Sequence, residues 1–273
     1  MTKVVLTTGA NSGIGLATVL EVARRGFRSI GSVRSDAKAE TVAKAAADAG
    51  VEVETVILDV NDPDACQRVM AGLRLYGLVN NAGYGLTGAV EDVTDDDARD
   101  LLETMVVAPI RLARLALPVM REQGEGRIVN VSSIMGRTTT PLTGWYQGAK
   151  HALEAVTDAL RVEVAPAGIK VVLVEPGGFK TSIWADFERD METRGDTRYR
   201  SSYNRLQQML RLSTPFMGDP DQVAKVIAAS LSGRPRARYL VGVDAQAAAL
   251  TDRLAPTAVK DLVYRYALGM PRE

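Results

Sequence analysis

Short runs of β-branched and apolar residues alternate along this chain with longer stretches in which apolar positions recur every three or four residues. The short runs predict strands at Val4-Thr7, Ser29-Val33, Val53-Leu58, Leu78-Asn80, Ile128-Ser132, Lys170-Val174 and Tyr239-Val241. Several are apolar throughout, the pattern of central parallel strands covered on both sides. Strand and helix in alternation predict an α/β fold: a Rossmann-type, doubly wound parallel sheet of about seven strands with helices on both faces.

Helix ends are marked as well. Asp62-Pro63 and Asp219-Pro220 each set a capping acid before proline at the first helical position, and Gln222 is placed to close a capping box with Asp219. Thr94 before Asp95, Asp96 and Asp97 reads as a helix start whose acids complement the helix dipole rather than hold a metal. A helix beginning near Trp145 is stopped by Pro166 and Gly168. Periodicity is weakest from Thr181 to Met217, between two predicted elements of the sheet, so residues 181–217 are expected to form an insertion covering the substrate. No repeat or linker divides the chain, and residues 1–273 are expected to form a single domain.

Charge narrows the partners. Lys plus Arg equals Asp plus Glu at 33 each, so no global field draws nucleic acid or an anionic membrane to the surface. Arg234, Arg236 and Arg238, broken by Pro235, read as a solvated loop before a strand. One cysteine, Cys66, and one histidine, His151, leave no zinc cage, no internal disulfide and no serine-hydrolase triad, and no metal is expected. Met1-Thr2-Lys3 leads straight into Val4-Val5-Leu6 without the apolar region of a signal peptide, and no stretch reaches the ~20 apolar residues of a membrane span. A cytoplasmic enzyme working on a small molecule is the simplest class, with a homodimer or homotetramer open.

Two groups of residues carry chemistry. Thr8-Gly9-Ala10-Asn11-Ser12-Gly13-Ile14-Gly15 follows the first strand and leads into a helix. Its glycines let the backbone turn sharply and approach a pyrophosphate, while the helix N-terminus supplies free amide donors. The second group is Ser133, Tyr146 and Lys150, the last two four apart and so on one helical face. An ammonium beside a tyrosine favours phenolate and lowers its pKa from ~10 toward working pH, which makes the phenol a proton donor and acceptor. Ser133 follows a predicted strand at the carboxyl edge where open α/β sheets bind ligands.

Together these segments resemble the short-chain dehydrogenase/reductase family in its Thr-Gly-x-x-x-Gly-Ile-Gly form. The resemblance runs in family order through Thr8 to Gly15, Asp59-Val60, Asn80-Asn81-Ala82-Gly83, Asn130 to Ser133, Tyr146 to Lys150, and Pro176-Gly177 with Thr181. It implies that Gly9, Ser12, Gly13, Ile14 and Gly15 hold the cofactor pyrophosphate, Asp59 and Val60 its adenine, and Asn81, Ala82 and Gly83 the adjoining ribose. Pro176, Gly177 and Thr181 would flank the nicotinamide. Ser133 would bond the substrate oxygen, Tyr146 exchange its proton, and Lys150 hold the nicotinamide ribose while tuning the tyrosine. Met105 stands where the family usually has an asparagine that holds a water beside the lysine, which sets turnover in question.

The second strand ends in Ser32-Val33-Arg34-Ser35, with Val33 where an NAD-preferring enzyme usually carries an acid. Arg34 suits a ribose 2′-phosphate, so NADP (NADPH) is expected over NAD. Met135, Leu142, Trp145, Phe179, Ile183, Trp184, Phe187, Tyr199, Tyr203, Phe216 and Met217 form either a pocket for a bulky apolar carbonyl or alcohol or a lid closed onto the core. The expected activity is NADP-dependent interconversion of a secondary alcohol and a ketone or aldehyde. Two alternatives stay open: a cofactor-binding regulatory or sensor protein with little turnover, and an epimerase or dehydratase on the same scaffold.

Overall fold

The computed structural model describes residues 2–270. In chain order the elements are β1 (Val4–Thr8), α1 (Gly13–Arg24), β2 (Arg28–Val33), α2 (Asp36–Asp48), β3 (Val53–Ile57), α3 (Pro63–Ala71), β4 (Leu75–Asn80), α4 (Asp95–Leu102), α5 (Ala108–Gln123), β5 (Gly126–Val131), α6 (Gly144–Val164), β6 (Ile169–Pro176), α7 (Ile183–Thr193), α8 (Arg200–Ser213), α9 (Pro220–Ser230), β7 (Arg238–Val241), α10 (Val243–Leu254) and α11 (Thr257–Leu268). The strands form one parallel seven-stranded sheet in the order β3-β2-β1-β4-β5-β6-β7.

Successive strand residues serve opposite faces. Leu6, Leu75, Leu78, Ile128, Ile169 and Val171 pack with α3 and α5 through Cys66, Met70, Leu112 and Met120. Val5, Val79, Val129, Val172 and Val174 pack with α1 and α9 through Val22, Val223 and Ile227. Both faces are therefore buried, which is why these strands read as unbroken apolar runs.

All seven predicted strands are present, β4 and β6 each three residues longer than expected. β4 begins at Leu75 rather than Leu78, because Gly77 interrupts the apolar run. A side chain there would come within 3.0 Å of Val5 and 3.2 Å of Leu231, so the packing of β1 and the end of α9 against this position is tight for anything larger than glycine. Asp62 caps α3 by accepting from the amides of Asp64 and Ala65, both at 2.9 Å, and Thr94 caps α4 through Asp97 N at 3.1 Å. The expected box at Asp219 is not made: Asp219 accepts from Asp221 N at 2.9 Å, while Gln222 lines the central cavity.

Residues 181–217 fold into α7 and α8. Each buries only two residues, Phe187 and Met191 on one, Ser202 and Tyr203 on the other, so the apolar stripe is too thin to give a clear period. Polar groups tie this insertion to the loop after β4. Asp190 accepts from Thr87 N at 3.0 Å, Arg194 donates to the carbonyls of Thr87 and Asp92, and the buried Tyr203 hydroxyl accepts from Ala89 N and donates to Asp92, each at 2.7 Å.

Candidate active site

The strand order reverses between β1 and β4, and the chain opens a crevice beyond their carboxyl ends. Thr8 closes this switch point: its hydroxyl accepts from the amides of Asn81 and Ala82, both at 2.9 Å. The Asn81 side chain returns to the carbonyls of Thr8 and Gly9 at 2.9 and 3.2 Å. The glycine turn is thus fastened to β4 before any ligand arrives.

Glycine is required there by contact. Gly9 and Gly13 have φ of 66° and 51°. A Cβ on Gly15 would sit 2.1 Å from the Gly9 carbonyl oxygen and 2.5 Å from Asn81 Nδ2, both well inside contact distance. The missing side chains leave a backbone cradle at the start of α1, the form that accepts a pyrophosphate. Thr181 and Ser182 face it across the crevice, Ser182 Oγ lying 3.4 Å from Ser12 Oγ.

The cradle opens into a cavity of about 1400 Å³. Every expected site residue lines it: Gly9, Ser12, Gly13, Ile14, Gly15, Arg34, Asp59, Val60, Asn81, Ala82, Gly83, Ser133, Tyr146, Lys150, Pro176, Gly177 and Thr181. Arg34 is exposed at the end of β2, and Lys38 from the first turn of α2 joins it in the lining. Lys38 went unnoticed in the sequence, although the N-cap position of Ser35 sets it one turn from Arg34. Asp244 was missed too. It reaches from α10 to accept from Gly178 N at 2.6 Å and fills the space beside Gly177.

Buried polar contacts fix α6 over β5. Asn80 donates to Asn130 at 2.8 Å and Asn130 to Thr157 at 2.8 Å, a ladder joining β4, β5 and α6. Ser133 Oγ accepts from Met135 N at 3.1 Å, which turns it at the strand end. Lys150 Nζ donates to Val131 O at 2.9 Å and lies 5.8 Å from the centre of the Tyr146 ring. Phe187 packs edge-on against Tyr146 with ring centres 5.4 Å apart, and Trp184 against Phe187 at 5.7 Å.

Burial governs both ionisable groups. It pushes the Tyr146 phenol well above its ordinary value, against a hydrogen bond with Ser133 that favours phenolate. It brings the Lys150 ammonium down to about 8, against the attraction of Glu154. The expected lowering of the tyrosine by the lysine is not found: Ser133 alone opposes burial, and taking the phenolate out of water costs more than Ser133 returns. Tyr146 stands here as a neutral acid.

Among the proposed substrate residues, Met135, Phe179, Ile183, Trp184, Phe187, Phe216 and Met217 line the cavity. Leu142, Trp145, Tyr199 and Tyr203 do not. They hold the insertion down: Leu142 packs with Ala89, Met191 and Tyr203, while Tyr199 Oη donates to Glu91 at 2.6 Å and Trp145 Nε1 to Val90 O at 3.4 Å. The aromatic set thus divides between cavity lining and fastening of the insertion. Met105 lies in a widened π turn, Glu103–Val107, buried beside Tyr146 and lining the cavity. The hydroxyl of neighbouring Thr104 accepts from Asn61 at 2.8 Å.

A doubly wound sheet with a glycine cradle at its switch point and a serine, tyrosine and lysine converging beside it defines a dinucleotide-dependent oxidoreductase. Residues 3–192 match the family model described as short chain dehydrogenase, and the chain belongs to that family. It is 31% identical over 293 residues to retinol dehydrogenase 5 of Homo sapiens, covering 98% of this chain and 90% of that one. A short-chain dehydrogenase structure from Streptomyces avermitilis superposes with a TM-score of 0.79 at 32% identity, covering 98% of this chain and 97% of that one. A variant of actinorhodin polyketide ketoreductase with NADPH gives a TM-score of 0.77 at 27% identity, with 88% and 95% covered. The chain is an NAD(P)-dependent dehydrogenase/reductase acting on CH–OH groups.

Proposed function

We propose that this protein is an NADP-dependent reductase of bulky apolar ketones or aldehydes, with oxidation of the corresponding alcohol as its reverse. The observation that carries the reading is that Ser133, Tyr146 and Lys150 line one cavity together with the apolar side chains of Phe187, Trp184, Ile183 and Met105, which pack around Tyr146. When bound, the nicotinamide supplies or takes up hydride. Gly9, Ser12, Gly13, Ile14 and Gly15 would hold its pyrophosphate, Asp59 and Val60 the adenine, and Asn81, Ala82 and Gly83 a ribose. Pro176, Gly177 and Thr181 would flank the nicotinamide ring.

Ser133 donates to the substrate oxygen and holds it at Tyr146. Tyr146 gives its proton to that oxygen during reduction and recovers it during oxidation. A phenol kept neutral by burial is suited to the donor role, which favours the reductive direction. Lys150 orders the ribose and steadies the phenolate that reduction leaves behind. Arg34 and Lys38, with no acid at Val33, support NADP over NAD through the 2′-phosphate. The substrate name of retinol dehydrogenase 5 and the NADPH of the ketoreductase point the same way. The test is a panel of apolar ketones, aldehydes and alcohols with NADPH and NADH, followed by nicotinamide absorbance. Turnover with NADPH on apolar carbonyls supports the reading; turnover confined to small polar substrates, or to NADH, contradicts it.

A further inference from the structure

One helical turn beyond Lys150 on the same face of α6 stands Glu154, a buried carboxylate that the proposed reaction does not use. Its Oε2 is bonded to Arg238 of β7, which also binds Asp158 of α6 and, at 2.8 Å, Glu175 of β6. Glu175 is fully buried, and Arg137 lies 3.6 Å from its other oxygen. Asp158 in turn takes Arg161 at 3.2 Å. Three carboxylates, Glu154, Asp158 and Glu175, are thus met by three guanidinium groups, Arg137, Arg161 and Arg238.

Glu154 Oε1 is outside that exchange. It is buried without a protein hydrogen bond, as is Ser132 Oγ. Both oxygens border the space left open by Gly136, where a Cβ would lie 2.8 Å from Ser132 Oγ and 3.3 Å from Glu154 Oε1. One carboxylate oxygen is therefore anchored to the arginine, and the other faces the end of β5 at Ser132. Lys150 Nζ sits over the same strand end, on the carbonyl of Val131. The π turn packed on this side of α6 brings Thr104 and Met105 to the cavity, neither of them charged. Asp59, Asp100, Asp186 and Asp244 also line the cavity, but Glu154 is the buried acid one turn along the face of α6 from Lys150. It makes no direct ion pair with the lysine, acts on it through space by raising the pKa that burial lowers, and is itself pushed up by burial.

We propose that Glu154 is a positioning residue for this site: its carboxylate, oriented by Arg238 at the sheet edge, holds the Lys150 ammonium in its charged form beside Tyr146. The proposal rests on the reading of Ser133, Tyr146 and Lys150 given above. It explains why a buried, only half-satisfied acid stands on the helix that carries both reacting groups.

The test is Glu154→Gln, which keeps shape and removes charge, beside Glu154→Asp, which keeps charge. In carbonyl reduction the alkaline limb of kcat/KM marks loss of a proton from the coupled Tyr146–Lys150 pair. Removing a nearby negative charge makes that loss easier, so the limb moves to lower pH by about one unit in Glu154→Gln and returns most of the way in Glu154→Asp. A purely structural residue lowers the whole profile without moving its limb, and that result overturns the proposal. The second measurement needs no substrate. In lysine-labelled protein, with the Lys150 signal assigned by its loss in Lys150→Met, NMR should show its titration midpoint falling by a similar amount in Glu154→Gln. Wild type carries a further check should that variant not fold: the Lys150 signal must show an acid-side inflection as Glu154 takes up its proton, and its absence overturns the proposal. If no carbonyl is turned over yet the lysine midpoint moves, the reading of the reaction fails and the role of Glu154 stands.

Discussion

The proposed preference for NADP rests on the residues at the end of β2. Val33 replaces an acid and Arg34 follows it, and the structure puts both, with Lys38, on the cavity wall. Arg34 is exposed, so its pairing with a 2′-phosphate is partly screened. Arg34→Ala should weaken NADPH binding by about 1.5 kcal/mol, at the low end for a charged hydrogen bond, and leave NADH unchanged within error. Fluorescence titration with both cofactors checks this. Equal losses would remove Arg34 from the phosphate, and no loss would shift the role to Lys38. What the sequence could not reveal at this scale was the balance of burial against charge at Tyr146 and Lys150. That balance depends on burial under α7, whose Phe187 packs on Tyr146, and on a Glu154 carboxylate that Arg238 of β7 fixes from outside α6.

At the scale of elements, the strands and the capped helices were readable because their signals are local: apolar runs for burial on both faces, and an acid before proline for helix starts. The elements that escaped are those with almost nothing buried. α10 and α11 bury only Ala245 and Leu268 respectively, leaving no stripe to detect. The π turn at Glu103–Val107 also escaped, since a widened turn follows from packing rather than composition. Met105 occupies that turn with its Cε 3.1 Å from where a Cβ on Gly83 would sit, so it fills space against the loop after β4. Met105→Asn replaces this contact with an amide in the cluster around Tyr146. If proton return to Tyr146 limits wild type, turnover should rise and a solvent isotope effect on kcat should shrink, with cofactor affinity little changed. The variant should also lose ~1–3 kcal/mol of stability if its amide finds no partner, read by urea unfolding. A wild type with no solvent isotope effect and no gain from asparagine would show that the methionine does not limit the proton route.

Across the whole molecule, the sheet brings together residues far apart in sequence at one carboxyl edge, and the α7–α8 insertion covers them. The order of motifs sufficed to anticipate that edge. Which aromatics would face the cavity and which would fasten the cover was not legible, because both kinds share the same stretch of chain. Tyr203 belongs to the fastening: it is 1% exposed and joins Ala89 and Asp92 through its hydroxyl. Tyr203→Phe leaves the Ala89 amide and the Asp92 carboxylate without this partner and should cost about 1–3 kcal/mol of stability. Because the cover is tied down by several such bonds, KM for an apolar substrate should rise while kcat changes little. A fall in kcat with unchanged KM would place Tyr203 in the chemistry instead. The central claim, that Tyr146 is the proton donor at a carbonyl reduction site, is tested most directly by kcat of Tyr146→Phe on the best carbonyl found with NADPH, alongside NADPH binding to the same protein. The account predicts a fall of about 10²–10⁴-fold in kcat, the usual worth of a general acid, with NADPH affinity retained. Turnover close to wild type with a folded, NADPH-binding variant would contradict it.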